Sequence, residues 1–188
     1  MNDIMVDLET MDNIGSSAIL SIGAVQCDLI TGKLGEEYYR IVNLEGQADF
    51  QLTMDAQTIY WWLGQSRGAT EALLAPGKIL LEDMCNSFKK WIEYLEFPKT
   101  KRLWGNGASF DNAIVRNAFK RVDIEFPIPF WQDRDMRTIL GFYPKNLQEE
   151  WRWTHIRKGT HHNALDDAKY QVEYCSHILQ ELGVKELY

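Results

Sequence analysis

The sequence predicts an α/β protein in which helices pack on a mixed β-sheet, and three observations support this class. The first 42 residues contain three alternating apolar segments joined by short turns. From residue 55 onward, helical spacing of apolar residues dominates. The short apolar segment RLWG (102–105) lies between two helical segments and predicts a further strand. Such an order of elements is typical of a mixed sheet covered by helices.

The first three strands are predicted to form an antiparallel meander. They correspond to IMVDLETM (4–11), AILSIGAVQCDL (18–29) and EEYYRIV (36–42). The turn NIGSS separates the first two segments, and the turn ITGK lies between the second and the third. Short turns between successive strands favour antiparallel pairing.

Amphipathic helices are predicted in the rest of the chain. In DAQTIYWWLGQS, Ile59, Trp62 and Leu63 fall at i, i+3 and i+4, which predicts that all three face the core. On the last helix, Leu182 is predicted to be the final inward-facing residue. The predicted helices lie at 55–66, at 69–75, at 79–95, at 109–122, from about residue 136 and at 164–182, with a loop rich in proline and aromatic residues at 126–133.

The composition limits the class of protein. With 188 residues, 45% of them hydrophobic, the chain is expected to form one domain over residues 1–188. No apolar run reaches the about 18 residues of a membrane span, and no signal pattern is found, so a soluble cytoplasmic protein is expected. Cys27, Cys85 and Cys175 are expected to be reduced core thiols. A net charge of −7 disfavours a protein that coats nucleic acid through many phosphate contacts.

The first strand carries two acids on one face. Side chains alternate along a strand, so Asp7 and Glu9 share a face with Met5, and no basic residue lies within the segment. Like charges held this close raise each other's pKa or need a cation between them. An isolated pair at the end of a strand can equally face solvent, so the case for a site depends on further acids.

Two further acids are predicted on core-facing sides of helices. Asp111 shares a helical stripe with the apolar Val115, four residues further on. Asp167 lies at the border of the buried stripe of the last helix, and His162 precedes it in the loop that leads into this helix. The neighbouring Asp166 is expected to point to solvent.

Four inward-facing acids on three separate elements, with no basic partner nearby in sequence, predict a cation site. Burying like charges without a counter-ion is costly. Carboxylate oxygens suit Mg²⁺ or Mn²⁺ better than zinc. Four carboxylates can hold two such ions roughly 3.5–4 Å apart, an arrangement used in phosphodiester hydrolysis. A nearby histidine can then take a proton from the attacking water.

Three motifs resemble those of a known family. DLET (7–10), NGASFDN (106–112) and HNALDDA (162–168), in this order, resemble the exonuclease motifs of the DEDDh group. That group of 3′–5′ exonucleases belongs to the ribonuclease H-like superfamily and includes ribonuclease T, oligoribonuclease and polymerase proofreading subunits. The resemblance covers the chain from residue 4 to about residue 175. The adjacent tryptophans of IYWWLGQS resemble the ribonuclease AS-like and phage DexA-like branch.

The resemblance implies a fold, a cofactor and a reaction. The fold would be ribonuclease H-like, a five-stranded mixed sheet in which an antiparallel meander is followed by parallel strands, flanked by helices. Two Mg²⁺ ions, which Mn²⁺ can replace, would be bound by Asp7, Glu9, Asp111 and Asp167, with His162 as general base. Nucleoside 5′-monophosphates would be released from the 3′ end of single-stranded RNA or DNA. A homodimer is expected on the same basis.

The substrate contacts are expected at Thr10, Met11, Trp61, Asn106 and Arg157. Trp62 is expected in the core, whereas Trp61 would either stack on a base or cover the sheet edge or an interface. His161 lacks the family spacing and is expected to be a loop or substrate contact. In a dimer, the basic residues before His162 would reach across into the partner's site, namely Arg152, Arg157 and Lys158.

Two other functions stay open from the sequence. One is a catalytically silent scaffold that binds nucleic acid. The other is a phosphodiesterase specific for very short oligonucleotides. The choice between RNA and DNA also stays open, because it depends on contacts to the 2′-hydroxyl.

Overall fold

The fold is a five-stranded mixed sheet flanked by helices, which confirms the predicted class. The computed structural model describes residues 1–97 and 100–187. β1 pairs antiparallel with β2, as β2 does with β3, whereas β4 is parallel to both β1 and β5. In the order β3-β2-β1-β4-β5, the strands are β1 (Asp3–Thr10), β2 (Ile19–Asp28), β3 (Lys33–Ile41), β4 (Arg102–Gly105) and β5 (Asp133–Asp135).

Helices fill the connections that follow the meander. Short 3₁₀ turns occur at Gln47–Phe50 and Phe130–Gln132. No helix among the described residues is long and apolar enough to cross a membrane. The α-helices of the described chain are α1 (Ala56–Leu63), α2 (Arg67–Leu74), α3 (Leu81–Tyr94), α4 (Asp111–Arg121), α5 (Met136–Leu140), α6 (Lys145–Thr154) and α7 (Ala164–Glu181).

The two faces of the sheet belong to different apolar clusters because side chains alternate along β1. Ile4 is fully buried in one cluster, which also contains Phe88 of α3. Met5 is fully buried in the other cluster, with Val172 of α7. The acids at positions 7 and 9 share the face of Met5, so they point toward α7 rather than toward the larger cluster.

The predicted stripe on α1 is wrong in two of its three residues. Trp62 is buried as predicted, but Leu63 is 73% exposed and Ile59 is 37% exposed. The indole N–H of Trp62 donates to the carbonyl of Thr10 at 2.9 Å, so α1 is anchored at the end of β1 by one buried side chain. Leu182, predicted to face inward, lies just past α7 and is exposed.

Two elements were not predicted, β5 and α6. The strand β5 consists only of charged residues, and Asp133 within it is bound by Arg116 of α4, with Nη2 and Oδ1 2.7 Å apart. The helix α6 packs Trp151 onto Tyr174 of α7 with ring centroids 4.6 Å apart, while Trp153 is 89% exposed. Neither a charged strand nor a helix with so narrow an apolar stripe shows the periodicity that marks buried elements.

Candidate active site

Three elements bring the predicted acids together at one edge of the sheet. β1 and β4 are parallel, so their carboxyl ends lie at the same edge, and α4 begins shortly after β4. The helix α7 packs across β1 and β2. Asp7 and Glu9 from β1, Asp111 from α4 and Asp167 from α7 therefore meet near the end of β1.

Two glycines permit this close approach. Gly23 lies opposite Asp7 in the register of β1 and β2, and a Cβ at position 23 would overlap the backbone of Leu165. The first turn of α7 can therefore rest directly on β2 beside Asp7. Gly105 ends β4, and a Cβ there would overlap the amide oxygen of Asn112 in α4. A side chain at either glycine would push a helix N-terminus away from the acids.

Asp111 is bound to the strand that carries the other acids. Its carboxylate is buried, and Oδ1 accepts a hydrogen bond from the backbone N–H of Leu8 at 3.2 Å. Burial raises the pKa of Asp111 to about 7, although the hydrogen bond from Leu8 opposes the rise. Val115 is buried on the same side of α4, which confirms the predicted inward face.

The two acids of β1 resist ionisation in the protein alone. Burial raises the pKa of Glu9 from 4.5 to about 8, and the nearby charge of Asp111 adds to the effect. The pKa of Asp7 is raised well above its ordinary value by burial, then by Asp111 and Glu9. Gln171 of α7 donates from Nε2 to Oδ1 of Asp7 at 2.7 Å and orients that carboxylate.

The loop before α7 positions Asp167 and His162. Asn163 caps α7, and its Oδ1 accepts from two backbone N–H groups of the first turn at 3.1 and 3.2 Å. His162 has a φ of 64°, and its backbone N–H donates to Oδ2 of Asp167 at 3.0 Å. As a result, ligand atoms of Glu9, His162 and Asp167 lie within 4.8 Å of one another.

Aromatic rings surround the imidazole of His162. The ring of Trp61 meets it edge to face at 5.0 Å, and the rings of Trp62 and His161 lie 6.1 and 3.9 Å away. Trp61 is 45% exposed and Trp62 is buried, as predicted. Burial, then the neighbouring His161 and Arg157, lower the pKa of His162 below 6.5. This shift favours the neutral form of the imidazole at pH 7.

A pocket of about 560 Å³ opens beside the acids. One part of its wall is acidic and another is basic and aromatic. Asn106, one of the expected substrate contacts, lines it as well. The charged and aromatic residues that line the pocket include Asp7, Asp167, His162, Arg152, Arg157, His155, Tyr170 and Tyr174.

Arg157, one of the expected substrate contacts, is paired with one of the acids in this structure. Its guanidinium forms an ion pair with Asp167 of the same chain, and its Cζ lies 4.6 Å from the centroid of the Tyr170 ring. The side chain of Lys158, in contrast, is 86% exposed and lies 3.9 Å from Glu173. The expected reach of Arg157 into a partner's site stays a prediction.

Thr10 and Met11, two of the expected substrate contacts, do not line this pocket in the described part of the chain. Met11 is buried in the core, and its N–H and carbonyl bond to Ala18 and Asp55 at 2.9 and 2.8 Å. The hydroxyl of Thr10 donates to the carbonyl of Asp12 at 2.8 Å. Internal bonds therefore use these polar groups in this conformation.

Three contributions to the site were not expected from the sequence. Gly23 lets α7 approach, Gln171 orients Asp7, and Asp166 accepts a hydrogen bond from the backbone N–H of Thr160 at 2.8 Å. Gln171 follows Asp167 by one helical turn, so its spacing was a usable signal. No comparable signal exists for Gly23, because its role depends on which helix packs over β2.

The set of ligand atoms suits a hard divalent cation. Carboxylate oxygens dominate it, and these are the ligands that Mg²⁺ and Mn²⁺ prefer. Burial raises the pKa values of Asp7, Glu9 and Asp111 by more than the nearby arginines lower them. A bound cation would favour the ionised forms, so the residues present fit such an ion.

A family model described as "3'-5' exoribonuclease Rv2179c-like domain" matches residues 2–179. No curated protein matched the chain.

Three similar solved structures share this fold, and two of them are nucleases by their descriptions. The nuclease domain of 3'hExo, a DEDDh family member, bound to rAMP, has a TM-score of 0.68 at 15% identity, over 95% of this chain and 92% of that one. Cell-death related nuclease 4 (CRN-4) has a TM-score of 0.67 at 16% identity, over 96% of this chain and 64% of that one. The Mg²⁺- and Mn²⁺-bound form of S. pombe Pop2p has a TM-score of 0.67 at 13% identity, over 100% of this chain and 86% of that one. These likenesses show that the fold is ribonuclease H-like.

Proposed function

The chain belongs to the Rv2179c-like 3'-5' exoribonuclease family, and on that premise we propose its substrate, its site residues and its mechanism. As a member, it is a hydrolytic 3′–5′ exonuclease of the DEDDh type. The proposed substrate is the 3′ end of single-stranded RNA, and the proposed products are nucleoside 5′-monophosphates. The observation that carries the proposal is the convergence of Glu9, His162 and Asp167, whose ligand atoms lie within 4.8 Å of one another.

Two divalent ions would be held by Asp7, Glu9, Asp111 and Asp167. Mg²⁺ is the proposed ion and Mn²⁺ its substitute, which is consistent with oxygen ligands and with the Mg²⁺ and Mn²⁺ in the Pop2p structure. When bound, such ions stabilise the negative charge that develops on the phosphodiester and make water a better nucleophile at neutral pH.

His162 is proposed as the general base that takes the proton of the attacking water. Its lowered pKa keeps the imidazole neutral and able to accept a proton at pH 7. The backbone bond to Asp167 and the ring of Trp61 restrict where that imidazole can lie. As water bonds to phosphorus, the bond to the 3′ oxygen of the preceding nucleotide breaks, and the released nucleotide keeps a 5′-phosphate.

The other pocket residues are proposed to hold the strand. Arg157 and Asn106 line the pocket and offer a cation and an amide to phosphate and sugar groups. Trp61 presents an exposed ring beside His162, on which a base could stack. RNA is favoured over DNA by the family description and by the rAMP bound to 3'hExo.

A time course on matched RNA and DNA strands tests the substrate and the direction of cleavage. Each strand carries a 5′ label and is incubated with Mg²⁺, and an Asp111→Asn chain serves as the control. We expect a ladder of RNA strands that shorten from the 3′ end, together with nucleoside 5′-monophosphates. Cleavage of DNA alone would contradict the RNA proposal, and 3′-monophosphate products would contradict the mechanism.

A series of RNA lengths, from a dinucleotide upward, separates this function from the two alternatives. The proposed 3′–5′ exonuclease is expected to degrade long single strands of RNA at rates similar to those for short strands. Cleavage confined to the shortest strands would instead indicate a phosphodiesterase for very short oligonucleotides. Binding without cleavage at every length would indicate a scaffold.

A further inference from the structure

Both oxygens of the Asp167 carboxylate are already engaged in this structure. Oδ2 accepts a hydrogen bond from the backbone N–H of His162 at 3.0 Å. Oδ1 is paired with the guanidinium of Arg157. A metal ion bound through Oδ1 would meet the positive guanidinium at the same oxygen, so the two cations compete for this carboxylate.

The contact with Arg157 is the one that can be released more easily. The partner on Oδ2 is a backbone N–H, fixed by the left-handed turn at His162 and by the Asn163 cap of α7. Arg157 lies outside any helix or strand, between α6 and α7. Its Nε is buried and has no hydrogen-bond partner among the residues that the structure describes. The ion pair with Asp167 and the face of the Tyr170 ring hold the guanidinium in place.

We propose that Arg157 is the counter-ion of Asp167 in the metal-free protein, and that binding of a divalent cation to Asp167 releases the guanidinium to bind a phosphate of the substrate. This inference rests on the proposed function, because it assumes that Asp167 is a metal ligand. The new element is that the guanidinium of Arg157 and the divalent ion compete for the carboxylate of Asp167. Arg157 can therefore bind a phosphate only after the metal ion has bound.

The surroundings of Arg157 determine what it binds after release. The same pocket contains Arg152, whose Cζ lies 5.2 Å from the centroid of the Tyr174 ring. Two guanidinium groups in one pocket repel each other, so an anion between them is favoured. Arginine matches the geometry of phosphate oxygens with two parallel N–H groups. A substrate phosphate entering the pocket would replace Asp167 as the partner of Arg157.

Calorimetric titration with MnCl₂ tests the competition without any measurement of activity. The variant is Arg157→Gln, and Lys158→Gln is the matched control because it removes the same charge from an exposed side chain next in sequence. We expect Arg157→Gln to bind Mn²⁺ more tightly than the wild-type protein, by roughly 5- to 150-fold, the usual range for coupling between two ligands. The control is expected to match the wild-type protein.

A second titration, with adenosine 5′-monophosphate in saturating Mn²⁺, tests the released state. Arg157→Gln should bind the nucleotide more weakly than the wild-type protein does, the opposite of its effect on Mn²⁺. Arg157→Lys keeps the charge, and its affinities for Mn²⁺ and for the nucleotide should lie between those of the wild-type protein and Arg157→Gln. This variant also serves as the test if Arg157→Gln does not fold.

The outcomes separate this inference from the proposed function. Unchanged or weaker Mn²⁺ binding in Arg157→Gln would overturn the competition, even if the enzyme is a metal-dependent exonuclease. Weakening of both ligands by Arg157→Gln would mean that Arg157 only supports the shape of the site. Failure of the wild-type protein to bind Mn²⁺ at all would instead overturn the proposed metal site.

Discussion

Replacing Glu9 by glutamine should stabilise the metal-free protein at alkaline pH. Glu9 is only 7% exposed, and burial together with the charge of Asp111 raises its pKa from 4.5 to about 8. The folded protein therefore prefers the protonated carboxyl, whereas the unfolded chain ionises it near the ordinary value. The stability lost by this mismatch grows as the pH rises from about 4.5 and levels off above about 8.

The magnitude follows from the two pKa values. Each pKa unit corresponds to about 1.36 kcal/mol, so the wild-type protein loses on the order of 4 kcal/mol of unfolding free energy at pH 8. At pH 5 the same group costs less than about 1 kcal/mol. For a chain of this size, the difference at pH 8 corresponds to a rise in Tm of roughly 10 °C for Glu9→Gln.

Thermal unfolding in EDTA at pH 5 and pH 8 measures this effect. Glu9→Gln should unfold at a higher temperature than the wild-type protein at pH 8 and at nearly the same temperature at pH 5. The control is Glu149→Gln, which replaces an exposed acid on α6 and should change neither value. Addition of Mg²⁺ should stabilise the wild-type protein more than Glu9→Gln. A lower Tm for Glu9→Gln at pH 8 would refute the reasoning.

Three further predictions concern the base, the sheet and the assembly. His162→Ala should slow RNA cleavage by roughly 10²- to 10⁴-fold, whereas His161→Ala should change it only a few-fold; the reverse order would assign the base to His161. Gly23→Ala should lower the unfolding free energy by at least about 1–3 kcal/mol and reduce activity, because its Cβ would overlap the backbone of Leu165. Gly15→Ala is the control, since nothing lies within 4 Å of a Cβ there; equal effects of the two changes would contradict the packing argument. Light scattering should give twice the mass of the 21.9 kDa chain, because exposed rings such as Phe130, Trp131 and Trp153 are typical of an interface. A mass near 21.9 kDa at micromolar concentration rules out a stable homodimer.

The positions of the acids were predictable because each obeys a local periodicity. The alternation of β1 assigns Asp7 and Glu9 to one face, and the spacing of α4 puts Asp111 with Val115 on the buried side. These rules use only neighbouring residues, and the structure brings the acids together at the edge where β1 and β4 end. The meander and the helices other than α6 were predictable for the same reason.

Contacts that depend on the path of a loop were not predictable. Arg157 lies ten residues before Asp167, and the turns at Gly159 and His162, both with positive φ, bring the two side chains together. The outward orientation of Leu63 on α1 depends on the bond from Trp62 to a carbonyl of β1 rather than on helical spacing. In each case, the partner is distant in sequence or is a backbone group, which periodicity does not describe.

The central claim is that the acids of β1, α4 and α7 form one divalent-metal site. A crystal grown with Mn²⁺ and adenosine 5′-monophosphate tests it directly, through anomalous scattering from manganese. We predict manganese peaks within about 2.5 Å of carboxylate oxygens of Asp7, Glu9, Asp111 and Asp167, with Arg157 turned away from Asp167. Manganese bound elsewhere, with these carboxylates unoccupied, would contradict the claim.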